Sequence, residues 1–323
     1  MISHRSLGPR TLTRVLLLTA MLAGAGVALA QDGRPVRLIV GFAAGGSIDA
    51  GARVIAPLLE ADLKQPVIVD NKPGGNGVVA VQSLMGAPAD GNSLYMQSTS
   101  VTTRVFIKDF QVDVLRDFQP VAPLWTVSYF LVTSAALPGT TVAQFVDAVK
   151  ARKGLNYAAG TASGMLTMET LKWRTGIDLL QVPYKGSAPA AVALLANDVQ
   201  ATFDTIGVWK QHVDAGKVRI LLYTGKERNA VMPNVPTAAE AGMPELQVAL
   251  TGGLWARGGA PAAQVERLNA AVNRVVARAD VRQKFADIGW GTIGGTPAEL
   301  RNQVAAEMGF WERAAKLVNY KPE

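Results

Sequence analysis

The chain of 323 residues contains no cysteine. Disulfide staples, thiolate nucleophiles and cysteine-ligated metals are therefore excluded, and stability has to come from packing. Histidine is nearly as scarce: His4 and His212 are the only two. That is too few for a His-based zinc site and a poor basis for most triad mechanisms. Charged residues make up 18% of the chain, with a formal net charge of +7. The cations are scattered, densest at Lys150, Arg152 and Lys153, and aromatic residues do not alternate with them. A nucleic-acid surface is not expected, but a mild positive field would help collect anions. The glycine-rich stretch Gly41 to Asp49 lacks Gly-x-Gly-x-x-Gly and the Gly-Lys-Ser/Thr ending of a phosphate loop, and Gly160 to Gly164 misses Gly-x-Ser-x-Gly. Neither a dinucleotide, a nucleoside triphosphate nor a serine-hydrolase elbow is indicated, and no cofactor and no metal is expected.

What is present begins with the three parts of an export signal. A basic start with Arg5, Arg10 and Arg14 precedes an apolar stretch from Val15 to Leu29, which ends in the small-x-small sequence Ala28-Leu29-Ala30. A signal peptide over residues 1–30 with cleavage before Gln31 is expected. No Cys stands at the cut and no Arg-Arg pair precedes the apolar run, so neither a lipid anchor nor twin-arginine export is expected. Removing 30 of the 323 residues leaves 293 and lowers the charge to +4. That length is long for one simple core and suits two domains with a cleft.

The remaining chain alternates short apolar runs with helical patterns. Pro35 to Phe42 reads as a strand ending in glycines, and Ile48, Ala52, Ile55 and Leu59 then mark one buried helix face. Val67 to Val69 and Ser93 to Met96 are further strands, so the first set implies parallel pairing with right-handed crossovers. A second set begins near Ser128 to Val132. Its strand candidates are Leu155 to Ala158, Leu179 to Val182, Val199 to Phe203 and Val218 to Tyr223. After another strand near Leu246 to Trp255 the chain turns helical: Val265, Leu268, Val272 and Val275 form a stripe. Thr296-Pro297-Ala298-Glu299 is a capping box, and Trp311 reads as core. The pattern is α/β; whether the last helices join the second set or return to the first stays open.

Three small-residue loops lie at strand ends. In Gly41-Phe42-Ala43-Ala44-Gly45-Gly46-Ser47-Ile48-Asp49, Gly45 and Gly46 leave room for a ligand, and Ser47 is placed to cap the helix whose free amides would hold an anionic oxygen. Tyr184-Lys185-Gly186-Ser187-Ala188 repeats the device, with Ser187 as cap and Val192 facing inward; Gly160-Thr161-Ala162-Ser163-Gly164 is the third. Asn71 to Gly77 would lie beside the first loop on the same sheet edge. Asp49 and Asp204 would fix a ligand group or a water, and Asp49 equally suits plain dipole stabilisation. An ordinary glycine-rich turn fits each stretch as well.

At these residues the sequence resembles the tripartite tricarboxylate transporter substrate-binding proteins, the Bug receptors. Arg34 to Asp49, Pro66 to Gly77, Pro88 to Gly91, Leu155 to Gly160, Val182 to Ala190 and Pro233 to Gly242 carry the likeness, through their order and spacing. The resemblance implies a two-domain periplasmic binding protein (Venus flytrap) fold, each domain a mostly parallel sheet flanked by helices. Residues 31–132 and 245–323 would form the first domain and 133–244 the second. It also implies a soluble periplasmic monomer that captures a small carboxylate for an inner-membrane permease, without catalysis. Phe42, Ala43, Gly45, Gly46, Ser47 and Asp49 would meet Gly160, Thr161, Ser163, Leu166, Tyr184, Lys185, Gly186, Ser187 and Ala188 around the ligand, with Asp204 lining the cleft. Ile48 stands where the family commonly has Thr, and the His often found near Leu166 is absent. Both departures suggest a less polar, even aromatic, carboxylate. A receptor for a sensing pathway, a periplasmic enzyme acting on a small carboxylate and a ligand-free structural protein are the alternatives.

Overall fold

A computed structural model describes residues 34–98, 105–184 and 186–322. The expected signal segment and Lys185 lie outside the described residues. The first sheet is built from β1 (Val36–Val40), α1 (Ser47–Leu63), β2 (Val67–Asn71), α2 (Val78–Met85), β3 (Ser93–Gln97), a short α3 (Val114–Asp117) and β4 (Phe118–Val127). The chain then enters a second sheet. This comprises β5 (Phe130–Ser134), α4 (Val142–Lys150), β6 (Asn156–Ala159), α5 (Ala162–Thr175), β7 (Leu180–Pro183), α6 (Ser187–Leu195), β8 (Ala201–Asp204), α7 (Lys210–Asp214) and β9 (Val218–Tyr223). It returns through β10 (Leu250–Arg257) and ends in α8 (Ala262–Val276), α9 (Ala279–Asp287), β11 (Gly291–Thr292) and α10 (Pro297–Leu317).

The strand orders are β11-β4-β10-β3-β1-β2 and β7-β6-β8-β5-β9. Both sheets are more mixed than the sequence suggests. β1 is parallel to β2 and β3, and β6 to β7 and β8, whereas β4, β5, β9, β10 and β11 pair antiparallel. The antiparallel strands include those that carry the chain between sheets, and a strand arriving from the other lobe has to run against its neighbours. Both faces of each sheet are covered, as alternation along the strands shows: Leu38 and Val40 enter one core and Ile39 the opposite one. Leu131 likewise points away from Phe130 and Val132. Two cores on each sheet define two lobes.

The exchange between lobes falls at Ser128–Tyr129, so β5 belongs wholly to the second sheet and the expected boundary at 132 lies inside that strand. Thr224 joins the outgoing and returning chains. Its hydroxyl accepts the Tyr129 N–H at 2.8 Å and donates to the Val248 carbonyl at 2.9 Å. Its amide donates to the Tyr129 carbonyl, and its carbonyl accepts from Val248 N–H. The open question about the last helix has a double answer. Leu300 and Val304 of α10 pack on the first sheet, while Trp311 and Ala314 enter the core of the second lobe.

Candidate functional site

The register places the loops. Val40 at the end of β1 pairs with Asn71 at the end of β2, so the loop after β1 lies beside the start of the Asn71–Gly77 segment, as expected. A Cβ on Gly41 would meet the Gly77 Cα at 3.2 Å. In the second sheet Ala159 pairs with Pro183, and Asp204 with Phe130, the residue at which the chain enters. The loops after β6, β7 and β8 therefore lie on the edge that faces the crossovers. The loop after β1 lies on the corresponding edge of the first sheet, where β4 leaves and β10 arrives. Strand carboxyl ends of the two lobes thus oppose one another, the usual place for an α/β ligand site.

Phe42, Ala43, Gly45, Gly46 and Ser47 are exposed, Phe42 to 42%. Beneath them Asp49 is only 2% exposed and acts as a clamp. One carboxylate oxygen accepts Gly45 N–H and Arg53 Nε, both at 2.9 Å, and the other accepts Asn71 Nδ2 at 3.0 Å. Asn71 Nδ2 also donates to the Phe42 carbonyl at 3.1 Å. The Arg53 guanidinium, followed by the Gly45 and Asn71 donors, holds the Asp49 carboxyl below its usual range against the opposing effect of burial. Asp49 therefore shapes the loop, with its oxygens turned to protein donors. Gly45 sits at φ +88°, a conformation that side-chain-bearing residues rarely adopt. Ser47 is not the cap: it is the first helical residue, and Gly46 occupies the cap position with no side-chain bond. Among the described residues the amides of Ser47 and Ile48 meet no acceptor.

The second lobe supplies two further helix starts. Thr161 caps α5 by accepting Gly164 N–H at 3.1 Å, which leaves the amides of Ala162 and Ser163 without an acceptor among the described residues. The Ser163 side chain is buried and shares a hydrogen bond with the Tyr129 hydroxyl. Gly186, at φ +106°, precedes α6 without side-chain capping, so Ser187 is not a cap here either. Its hydroxyl instead donates to Asp204 at 2.8 Å, and the amides of Ser187 and Ala188 are unmatched among the described residues. Gly160 lies under this turn: a Cβ there would meet the Gly186 carbonyl oxygen at 3.1 Å. Tyr184 is half-buried and Ala188 exposed. Asp204, 3% exposed, accepts from Ser187, from Thr205 N–H at 2.8 Å and from Trp209 Nε1 at 3.0 Å. Burial pushes its carboxyl up, against these donors.

Three expectations need correction. Val192 is 68% exposed, and Leu194 with Ala190 fills the inward face of α6. Leu166 is fully buried in the second lobe's core, and Ile48 is half-buried against the first. Since these side chains pack into cores, they give no physical support to an apolar, aromatic-selecting cleft. Asn71 heads the segment expected beside the first loop, whereas Arg53, Tyr129 and Trp209 are site-supporting residues that the sequence reading did not single out. Of these, Arg53 carried a signal, its i,i+4 spacing from Asp49.

This arrangement, two α/β lobes joined by crossovers with helix starts at facing sheet edges, is that of a periplasmic binding protein. Residues 51–318 match the family model described as tripartite tricarboxylate transporter family receptor, and the chain belongs to that family. It is 33% identical over 316 residues to protein BugT of Bordetella pertussis, covering 94% of this chain and 96% of the relative. A Rhodopseudomonas palustris protein solved with adipate superposes with a TM-score of 0.82 at 32% identity, over 90% of this chain and 99% of its own. MatC of the same organism, with bound malate, gives 0.77 at 30% identity, over 87% and 98%. The protein is accordingly a solute receptor and not an enzyme. No helix among the described residues is long and apolar enough to cross a membrane.

Proposed function

We propose that this chain is a periplasmic receptor that captures a small aliphatic carboxylate in the cleft and presents it to an inner-membrane permease. The observation that carries the reading is the set of amide pairs without an acceptor among the described residues, Ser47–Ile48, Ala162–Ser163 and Ser187–Ala188, at helix starts on facing edges. Each pair presents N–H groups and the positive end of a helix dipole, the chemistry that holds carboxylate oxygens. Phe42, Ala43, Gly45, Gly46 and Ser47 form the first lobe's part of the contact. Gly160, Thr161, Ser163, Tyr184, Gly186, Ser187 and Ala188 form the second's. Asp49 and Asp204 support these loops from beneath, and Lys185 is a candidate charge partner. Adipate and malate in relatives point to aliphatic dicarboxylates.

The test is a thermal-shift screen of residues 31–323, refolded to strip bound ligand, against aliphatic and aromatic mono-, di- and tricarboxylates. A ligand at 100 times its Kd adds about 2.7 kcal/mol if it binds only the folded state. A selective rise with an aliphatic dicarboxylate supports the reading. A response confined to aromatic acids overturns the aliphatic assignment, and silence across the panel overturns carboxylate capture.

A further inference from the structure

Away from the helix starts the two lobes touch through a pair of glycines. The turn Ile206–Val208 follows β8 in the second lobe, and Ile288–Gly289 follows α9 in the first. A Cβ on Gly207 would lie 3.2 Å from the Ile288 carbonyl oxygen. One on Gly289 would lie 2.7 Å from Ile206 Cγ2 and 3.4 Å from the Gly207 nitrogen. The Gly207 backbone faces the Ile288 carbonyl directly, and the Ile206 side chain, 4% exposed, packs over Gly289. The same turn is fastened to the cleft. Asp204 accepts Thr205 N–H and Trp209 Nε1 at the two ends of the turn, and Ser187 Oγ from the cleft-facing start of α6.

We propose that the Ile206–Val208 and Ile288–Gly289 turns form the contact that sets the register of one lobe on the other, and that Asp204 is the positioning residue tying that contact to the α6 start. A ligand that pulls on Ser187 then pulls on the lobe contact through one shared carboxylate. At 207 it is the opposite lobe that crowds an added Cβ, since apart from its two chain neighbours the only heavy atoms within 4 Å are the Ile288 carbonyl oxygen and carbon. Closed and open populations of a hinged receptor depend on such contacts being made in one arrangement and lost in the other.

The chain has no cysteine, so a Gly207→Cys/Gly289→Cys variant carries the only two thiols. Treated ligand-free with oxidised glutathione, which takes up the two hydrogens, the pair is expected to cross-link in most molecules and to reopen with dithiothreitol. A reduced variant that melts like its parent yet fails to cross-link overturns the contact. Adding Asp204→Asn is expected to slow cross-linking several-fold at a temperature where both proteins are fully folded. An unchanged rate overturns the positioning role, because a merely structural Asp204 would alter the melt and leave the rate alone. Gly289 has φ +82°, where cysteine is strained. Gly207→Val therefore provides a second arm: it should raise the ligand-free radius of gyration in X-ray scattering with an unchanged circular dichroism spectrum, and an unaltered radius counts against the contact. All three measurements omit ligand, so a failed carboxylate screen leaves them standing.

Discussion

Two aspartates serve the same edge of the molecule under opposite electrostatics. Asp49 is held low by Arg53 and by its amide donors, whereas Asp204, without a cation among its described partners, is pushed up by burial. A lowered carboxyl contributes stability above its ordinary pKa and loses it as the pH falls through the depressed value; a raised one penalises folding as the pH climbs from the ordinary value through the raised value. Urea melts between about pH 3 and 7 should therefore show opposite slopes. Asp49→Asn should cost most at neutral pH and least in acid. Asp204→Asn should gain stability relative to its parent as the pH rises. The glycines give a second prediction. Gly46 lies at φ −78° with nothing closer to an added Cβ than the Ala43 carbonyl at 3.6 Å, so Gly46→Val should fold with a near-parental melt. Titration calorimetry with whichever carboxylate the screen selects should then show at least a tenfold loss, about 1.4 kcal/mol. Both loops were legible as glycine-rich helix starts. The lowering of Asp49 was legible in part, through Arg53 at i,i+4, while its Asn71 donor and the Tyr129–Ser163 bond were not, because they join residues distant in sequence.

Among the elements, β4 is the one the pattern hid. Pro120 and Pro123 interrupt Phe118–Val127, and proline normally argues against an inner strand. They are tolerated because β11 reaches only Thr126 and Trp125 and leaves the proline side of β4 without a ladder partner from that strand. Toward β10 the register shifts next to Gly253 and Trp255, the residues opposite the two prolines. The final helix was easier to read. Thr296 N–H donates to Glu299 at 2.7 Å and Glu299 N–H to Thr296 Oγ1 at 3.2 Å, the reciprocal box expected from the sequence. Thr296→Ala should cost about 1 kcal/mol in a denaturant melt. Trp311, fully buried, should cost about 3–5 kcal/mol as Trp311→Ala. Its indole N–H has no acceptor among the described residues, so Trp311→Phe should cost clearly less.

For the whole molecule, the chain passes between lobes beside Thr224, and α10 lies across both. Closure then has to bend around a braced region, with α10 as a strap behind it. A selected carboxylate should lower the radius of gyration in X-ray scattering, and the Gly46→Val variant should show no such decrease at the same concentration. Ligand that binds with no compaction would mean that it contacts only one lobe, since equal contact with open and closed forms shifts neither population.

The sequence alone determined the α/β class, the receptor family and the glycine-rich loops that start the helices at the facing edges. These are local properties: hydrophobic period, capping chemistry and glycine placement are written in consecutive residues. Tertiary structure decided which polar groups are taken up by protein partners. Asp49, Ser163 and Asp204 read as candidate contacts, but packing turns their side chains toward Arg53 and Asn71, toward Tyr129, and toward Ser187 and Trp209. It also decided that Leu166 is core and that two glycines 82 positions apart meet across the lobes. Nothing local encodes the glycine pairing or the Tyr129–Ser163 bond, because residues so far apart in sequence meet only once the sheets and lobes have assembled.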